Sequence, residues 1–265
     1  MQTILGSNGQ IGKELAKELF KKYTKDIRLV SRKPRKVNPT DSLFSADLLK
    51  FEEARAAIAG SEIVYFTAGL PMNSELWEEQ FPLMMKNVIE ACKLHQSRLV
   101  FFDNTYMYPK NAEIQYEDTK FEPQGRKSTV RARLAEMVIQ EIENHSLEAV
   151  ICRAPEFYGP DHTQSITNTM VFNEIKENRK IKIPLNATRL RTLIWTPDAS
   201  RAMALIGNHA EAYGQTWHLP CAPSVTYQEI ITLSEKITGK KLQYTTLKMW
   251  QFNLARLFSQ KAKEL

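Results

Sequence analysis

The segment Gly6-Ser7-Asn8-Gly9-Gln10-Ile11-Gly12 constrains this chain more than any other. It follows a short apolar run, Thr3-Ile4-Leu5, and precedes a stretch in which Ile11, Leu15 and Leu19 recur at helical spacing. The order is strand, glycine turn, helix. Such a turn brings backbone N–H groups and a helix N-terminus up to an anion with no Cβ in the way, and its spacing suits a dinucleotide pyrophosphate. Three glycines so close together also occur in ordinary tight turns. The strand and helix patterns on either side decide for the nucleotide. Gly6, Asn8, Gly9, Gln10, Ile11 and Gly12 are therefore candidate cofactor contacts.

Beyond the turn, apolar runs alternate with helical stretches to about residue 153. Strands are expected over 2–5, 27–30, 43–46, 63–67, 99–103 and 149–153, and helices over 10–22, 51–59, 75–95 and 127–143. The third helix should begin in earnest near Pro82, since proline is best tolerated in a first turn. This alternation predicts an α/β protein with a Rossmann-type, doubly wound parallel sheet in the order 3-2-1-4-5-6 and ligands at the carboxyl ends of the strands. Residues 1–153 form the expected dinucleotide-binding core. After Arg153 the pattern loosens into a helix near 166–178, a strand near 192–195, a helix from Pro197, a strand at 215–219 and a helix from Thr226. Residues 154–265 are read as a smaller substrate lobe, interleaved with the core and packed over the carboxyl edge of the sheet. The last stretch, from Leu247, still reads as helical at Leu265, which leaves the completeness of the lobe open.

At 265 residues with 43 % apolar content, the chain can build a sizeable core. Nothing approaches the roughly 18 uninterrupted apolar residues of a membrane helix, and with the turn starting at Gly6 no signal peptide is expected. Cys92, Cys152 and Cys221 are odd in number and scattered, as expected of reduced thiols in the cytoplasm. The histidines show no metal-binding spacing, and no metal is expected. The net charge of +6 raises the question of nucleic acid, but no recognition motif accompanies it. Its densest cluster runs from Arg28 to Lys36. An NAD-preferring site carries a carboxylate about twenty residues beyond the turn. Here Ser31-Arg32-Lys33 stand instead, and a guanidinium and an ammonium suit the extra phosphate of NADP. NADP is the expected cofactor, with NAD the alternative. The competing account is a solvated basic loop, since Arg35 and Lys36 follow.

Several segments together resemble the extended short-chain dehydrogenase/reductases, in their NAD-dependent epimerase/dehydratase branch. The likeness covers nearly the whole chain. Besides the glycines, Ser45-Ala46-Asp47-Leu48 resembles the end of the family's third strand, which places Asp47 and Leu48 by the adenine. Thr67-Ala68-Gly69 stands where the family lines the cofactor with small residues. Asp103-Asn104-Thr105-Tyr106-Met107-Tyr108-Pro109 is similar to the stretch after the fifth strand. Arg153-Ala154-Pro155-Glu156-Phe157-Tyr158-Gly159-Pro160 is similar to the R-x-x-N-x-Y-G-P segment, and Trp195 to Ala202 to a V-x-D-x-A-x-A helix start.

The departure is catalytic. The family's Y-x-x-x-K pairs a tyrosine acid/base with a lysine that lowers its pKa and holds the nicotinamide ribose. Residues 125–136 contain no tyrosine. One register puts Ser128 and Ala132 at the pair; a shift of one puts Lys127 and Arg131 there, which keeps a cation for ribose and phosphate and is preferred. The resemblance assigns Asn104 and Thr105 to orienting a substrate oxygen, and leaves Tyr106, Tyr108 or water for proton transfer. Both tyrosines have the competing role of packing beside the sheet with their hydroxyls satisfied locally. Tyr158 and His162 border the expected cleft, whereas His218 reads as a packed strand residue. Two functions follow. One is an NAD(P)-dependent oxidoreductase acting on a hydroxyl or carbonyl compound, with sugar nucleotides as candidates. The other is a non-catalytic NADP(H)-binding redox sensor, resembling the nitrogen-metabolite-repression regulators. Extended relatives often form homodimers through the helices at 75–95 and 127–143, where apolar surface suffices; a monomer stays open.

Overall fold

The computed structural model describes residues 1–160 and 165–258, with side chains described to residue 254. The chain divides into two compact units: Met1–Ala154 with Thr196–Pro220, and Pro155–Trp195 with Cys221–Leu265.

The first unit runs β1 (Gln2–Leu5), α1 (Gln10–Lys22), β2 (Ile27–Ser31), β3 (Ser42–Ser45), α2 (Phe51–Ile58), β4 (Ile63–Phe66), α3 (Ser74–His95), β5 (Arg98–Asn104), α4 (Arg126–Glu143) and β6 (Ala149–Ala154). The second unit then contributes β7 (Glu156–Tyr158), a π turn at Asn168–Phe172, α5 (Asn173–Lys176), β8 (Ile181–Pro184) and β9 (Leu193–Trp195). The chain returns to the first unit for α6 (Thr196–Gly207) and β10 (Thr216–His218), and ends in the second with α7 (Tyr227–Thr238), β11 (Tyr244–Leu247) and α8 (Met249–Phe258).

The central sheet has seven strands in the order β10-β6-β5-β4-β1-β2-β3, all parallel. The predicted doubly wound order is present, and the strand order reverses between β1 and β4. Every residue of β1, β4 and β6 is buried, as a sheet covered on both faces requires. One helical layer pairs α1 with α6; the other packs α2 on α3 and α3 on α4.

Three expectations need correcting. The strand at 215–219 and the helix from Pro197 belong to the first unit, where β10 adds a seventh strand beside β6. The third helix starts at Ser74 rather than near Pro82: the Asn73 side chain accepts the Leu76 N–H as its cap, and Pro82 lies inside the helix, buried. Trp77 and Phe81, also buried, anchor the turn that precedes the proline. The apolar residues of α3 and α4 face the core. Most exposed positions are charged, among them Glu75, Glu79, Lys86, Glu90, Arg133 and Glu136, with Leu83 and Leu94 as the large apolar exceptions.

In the second unit, β7 pairs with β9 and β8 with β11. Its core is Val171, Ile181, Ile183, Ala187, Tyr227 and Ile231. A reciprocal capping box between Thr226 and Glu229 starts α7, and Gly239 in the left-handed region ends it. The helix expected at 166–178 is present as continuous helical backbone over 166–176, with the π turn at Asn168–Phe172 set between α-helical turns. Among the described residues, no helix is long and apolar enough to cross a membrane.

Candidate active site

The three glycines of the first turn do three different jobs. Gly6 has φ +85°, and a Cβ there would lie 2.4 Å from the Ala68 Cα at the end of β4. Gly12 packs α1 onto the turn: a Cβ would meet the Ser7 Cα at 2.9 Å and the Thr67 Oγ1 at 3.0 Å. Gly9 has φ −70° and would have only the Gly6 carbonyl, at 3.3 Å, within reach of a Cβ. Its missing side chain is therefore not required by backbone conformation and spares the interior only this one tight contact; it leaves space on the outer side of the turn. No side chain caps α1 at Gly9, and no acidic residue occupies its first turn, so the helix start keeps its affinity for an anion. The Gln10 Nε2 is buried with no hydrogen-bond partner among the described residues, a donor in want of an acceptor. Ile11 differs from its neighbours in the turn: its side chain is buried in the core. A dinucleotide pyrophosphate fits this cradle.

At the end of β2, Arg32, Lys33 and Arg35 are exposed. The backbone that carries them is not loose. Ser31 Oγ accepts the Lys33 N–H (3.2 Å), and Ser45 Oγ donates to the Arg32 carbonyl (2.9 Å). The Asn8 carboxamide donates to the Lys33 carbonyl (2.7 Å) and accepts the Arg35 N–H (3.1 Å).

Asp47 and Leu48 follow β3. The Asp47 N–H donates to Glu53, the Asp47 carboxylate accepts the Leu49 N–H, and Leu48 packs in the core, its carbonyl accepting from Asn87. After β4, Thr67 donates its hydroxyl to the Leu5 carbonyl, Ala68 abuts Gly6, and Gly69 is exposed. The cofactor residues expected from distant parts of the chain thus collect at the ends of β1–β4, where the strand order reverses.

The carboxyl ends of β5, β6 and β10 hold a row of polar residues that sequence reasoning did not assemble. Asp103, Arg153 and His218 are direct neighbours across three strands. Asp103 is fully buried and accepts from the Arg153 Nε (3.1 Å) and the Arg131 Nε (3.1 Å). Arg153 Nη1 donates to the Tyr108 hydroxyl (2.6 Å), which also meets His218 Nε2 (2.7 Å). Glu117 accepts the His218 backbone N–H at 2.9 Å. Burial lowers the His218 pKa, so a neutral imidazole that accepts the tyrosine proton is favoured. Burial also raises the Tyr108 pKa, against the pull of Arg153.

This row reassigns two candidates. Arg131 is buried between the rings of Phe81 and Phe101 with its guanidinium on Asp103, so it serves the core rather than a ribose. Tyr108 is buried and doubly hydrogen-bonded, which leaves its hydroxyl no access to a ligand. Ser128, from the other register, donates to the Gly125 carbonyl. Asn104 accepts the Tyr106 N–H and shapes the turn, and Thr105 is half-buried beside it. Tyr106 remains 43 % exposed, with its ring stacked on Trp77 at 6.4 Å. Lys127 reaches the same indole, its Nζ 6.0 Å from the ring centre. Trp77 is thus the platform that gathers Tyr106 and Lys127, and an indole in a helix interior gave no sign of this in the sequence.

In the second unit, Glu156 takes the N–H (2.9 Å) and hydroxyl (2.7 Å) of Thr167 and pairs with Arg191. The buried Asn168 clamps Gly159 through both its N–H and its carbonyl, and Tyr158 packs on Phe172 and Trp195. Tyr158 therefore anchors a turn. His162 lies outside the described residues.

Known proteins share this architecture. UDP-glucuronic acid 4-epimerase from Bacillus cereus, solved with NAD, superposes with a TM-score of 0.82 at 18 % identity, covering 94 % of this chain and 87 % of that one. A double mutant of DesIV, a dTDP-glucose 4,6-dehydratase from Streptomyces venezuelae with NAD bound, gives 0.80 at 14 % identity over 93 % and 84 %. UDP-glucose 4-epimerase from Thermus thermophilus gives 0.77 at 15 % identity over 98 % and 94 %. In sequence, the uncharacterised protein y4nL of Sinorhizobium fredii is 23 % identical over 196 residues, 71 % of this chain; the chain spans 54 % of the length of that relative. Residues 3–219 match a single family over most of the chain, and the protein belongs to the NAD dependent epimerase/dehydratase family.

Proposed function

We propose that the protein binds NADP(H) at the glycine turn and acts as an oxidoreductase on a hydroxyl or carbonyl compound, a sugar nucleotide being the leading class. The observation that carries the dinucleotide reading is Gly9, whose bare Cα the backbone conformation does not require and whose Cβ would meet only the Gly6 carbonyl, beside the unpartnered Gln10 Nε2. Gln10 and the first N–H groups of α1 hold the pyrophosphate. Asp47 and the backbone at Leu48 receive the adenine, and Arg32 and Lys33 receive the extra phosphate. A bound nicotinamide supplies a hydride donor or acceptor. The family and the nucleotide-sugar enzymes of the same fold support the substrate class. Tyr106 is the proton donor we assign, since it is exposed where Tyr108 is buried, and Lys127 reaches the indole on which its ring is stacked.

Arg32→Ala should weaken NADP about ten- to a hundredfold while changing NAD little, as expected for loss of a charge-assisted bond to one phosphate. Calorimetry with both dinucleotides checks this; equal weakening removes Arg32 from phosphate recognition. Nucleotide sugars and small carbonyl compounds can be screened at the nicotinamide absorbance and by mass for redox-neutral isomerisation. For any substrate found, Tyr106→Phe should lower kcat about 10²–10⁴-fold. A Tyr106→Phe protein with unchanged kcat excludes it as the acid.

A second reading, a redox sensor, draws on one observation. Arg131, at the register of the family's lysine, is committed to Asp103 in the interior. The sensor predicts no turnover in the screen and a conformational or partner-affinity difference between NADP and NADPH.

A further inference from the structure

Resting on the dinucleotide reading above, we infer that Asn8 and Ser45 are positioning residues for the phosphate-binding cations, joining the glycine turn and the basic segment into one recognition unit. Four backbone groups of that segment are held by three side chains, that of the adjoining Ser31 and those of Ser45 and Asn8 from elsewhere in the chain. The Arg32 carbonyl takes Ser45 Oγ, the Lys33 N–H goes to Ser31 Oγ, and the Lys33 carbonyl and Arg35 N–H both engage Asn8. Pro34 lies between the two Asn8 contacts, where a residue without an N–H leaves no donor unpaired. A carboxamide carries its donor and its acceptor on separate atoms, so the Asn8 side chain holds a carbonyl and an N–H of the segment at the same time.

A merely solvated basic loop needs none of these bonds. Their effect is to order the backbone beneath three exposed cations, Arg32, Lys33 and Arg35, while leaving their side chains outward. Three cations on a fixed segment suit a dianionic phosphomonoester, the group that distinguishes NADP from NAD. Because Asn8 is itself part of the pyrophosphate turn, its side chain ties the two phosphate sites together. Preorganisation of this kind raises affinity by removing the ordering cost from the binding step.

The test is calorimetry of NADP and NAD binding to the full chain carrying Asn8→Ala or Ser45→Ala. Asn8→Ala should lower the NADP-to-NAD affinity ratio about tenfold, the signature of disordered cations rather than a damaged turn. Ser45→Ala, which leaves the turn untouched, should lower the ratio several-fold with NAD affinity held within about twofold. If both variants keep the ratio of the unaltered protein while Arg32→Ala collapses it, the bridge plays no part in selection, and the inference fails while the NADP reading stands. If the unaltered protein does not prefer NADP, both fail together.

Discussion

Asp103→Ala should destabilise the first unit by about 3–5 kcal/mol, because it strands two buried guanidinium groups whose compensating charge is gone. Arg153 has nowhere to turn. It is 1 % exposed, between the rings of Tyr108 and Phe121, and its Nη2 already lacks a partner among the described residues. Asp103→Asn keeps the shape and one acceptor, so its cost should fall well short of that of alanine. Urea unfolding at constant slope reads the difference. A cost below about 1 kcal/mol for alanine would mean that water reaches both arginines, contrary to their burial. The loss should also reach the site, since Tyr108, held by Arg153, fixes the backbone from which Tyr106 projects.

Gly9→Val should abolish dinucleotide binding, by about a hundredfold or more, in a protein that still folds. The branched side chain would stand on the outer face of the turn and block at least two charge-assisted contacts to the pyrophosphate. The backbone at Gly9 is in a region open to any residue, and the penalty at this helix cap is about 1 kcal/mol. Gly6→Ala is the contrasting variant. It forces a Cβ onto Ala68 and into a left-handed conformation, at about 2–5 kcal/mol, so it should lose stability as well as binding. Calorimetry beside thermal unfolding separates the two. A folded Gly9→Val protein that binds NADP with unchanged affinity would place the cofactor elsewhere.

Much of this fold was legible before any coordinates. The glycine turn, the first helix and the order of the first six strands follow from local periodicity and from the rule that parallel strands need crossovers. The separate purposes of Gly6, Gly9 and Gly12 were not legible, since a spacing does not say which glycine meets its own protein and which meets a ligand. Pro82 misled because a helix start is judged from local propensity, while Trp77 and Phe81 are fixed by the core around them. The return of Thr196–Pro220 to the central sheet was hidden for a related reason: a strand as short as β10 carries no mark of which neighbour it pairs with.

The catalytic region divides most clearly. The sequence by itself determined that no tyrosine stands on α4 and that cations follow β2, because identity and spacing are properties of the chain alone. Only the tertiary structure decided that Arg131 turns inward while Lys127 lies against Trp77, that Tyr108 is buried while Tyr106 is exposed, and that Asn8 holds the basic segment. Each depends on which side chain 25 or more residues away comes into reach, and strand register sets that for whole strands at once. Asp103, Arg153 and His218 are far apart in the chain and adjacent in the sheet because β5, β6 and β10 align at their carboxyl ends, where a buried carboxylate is stable only beside cations, Arg153 delivered by that register and Arg131 by α4.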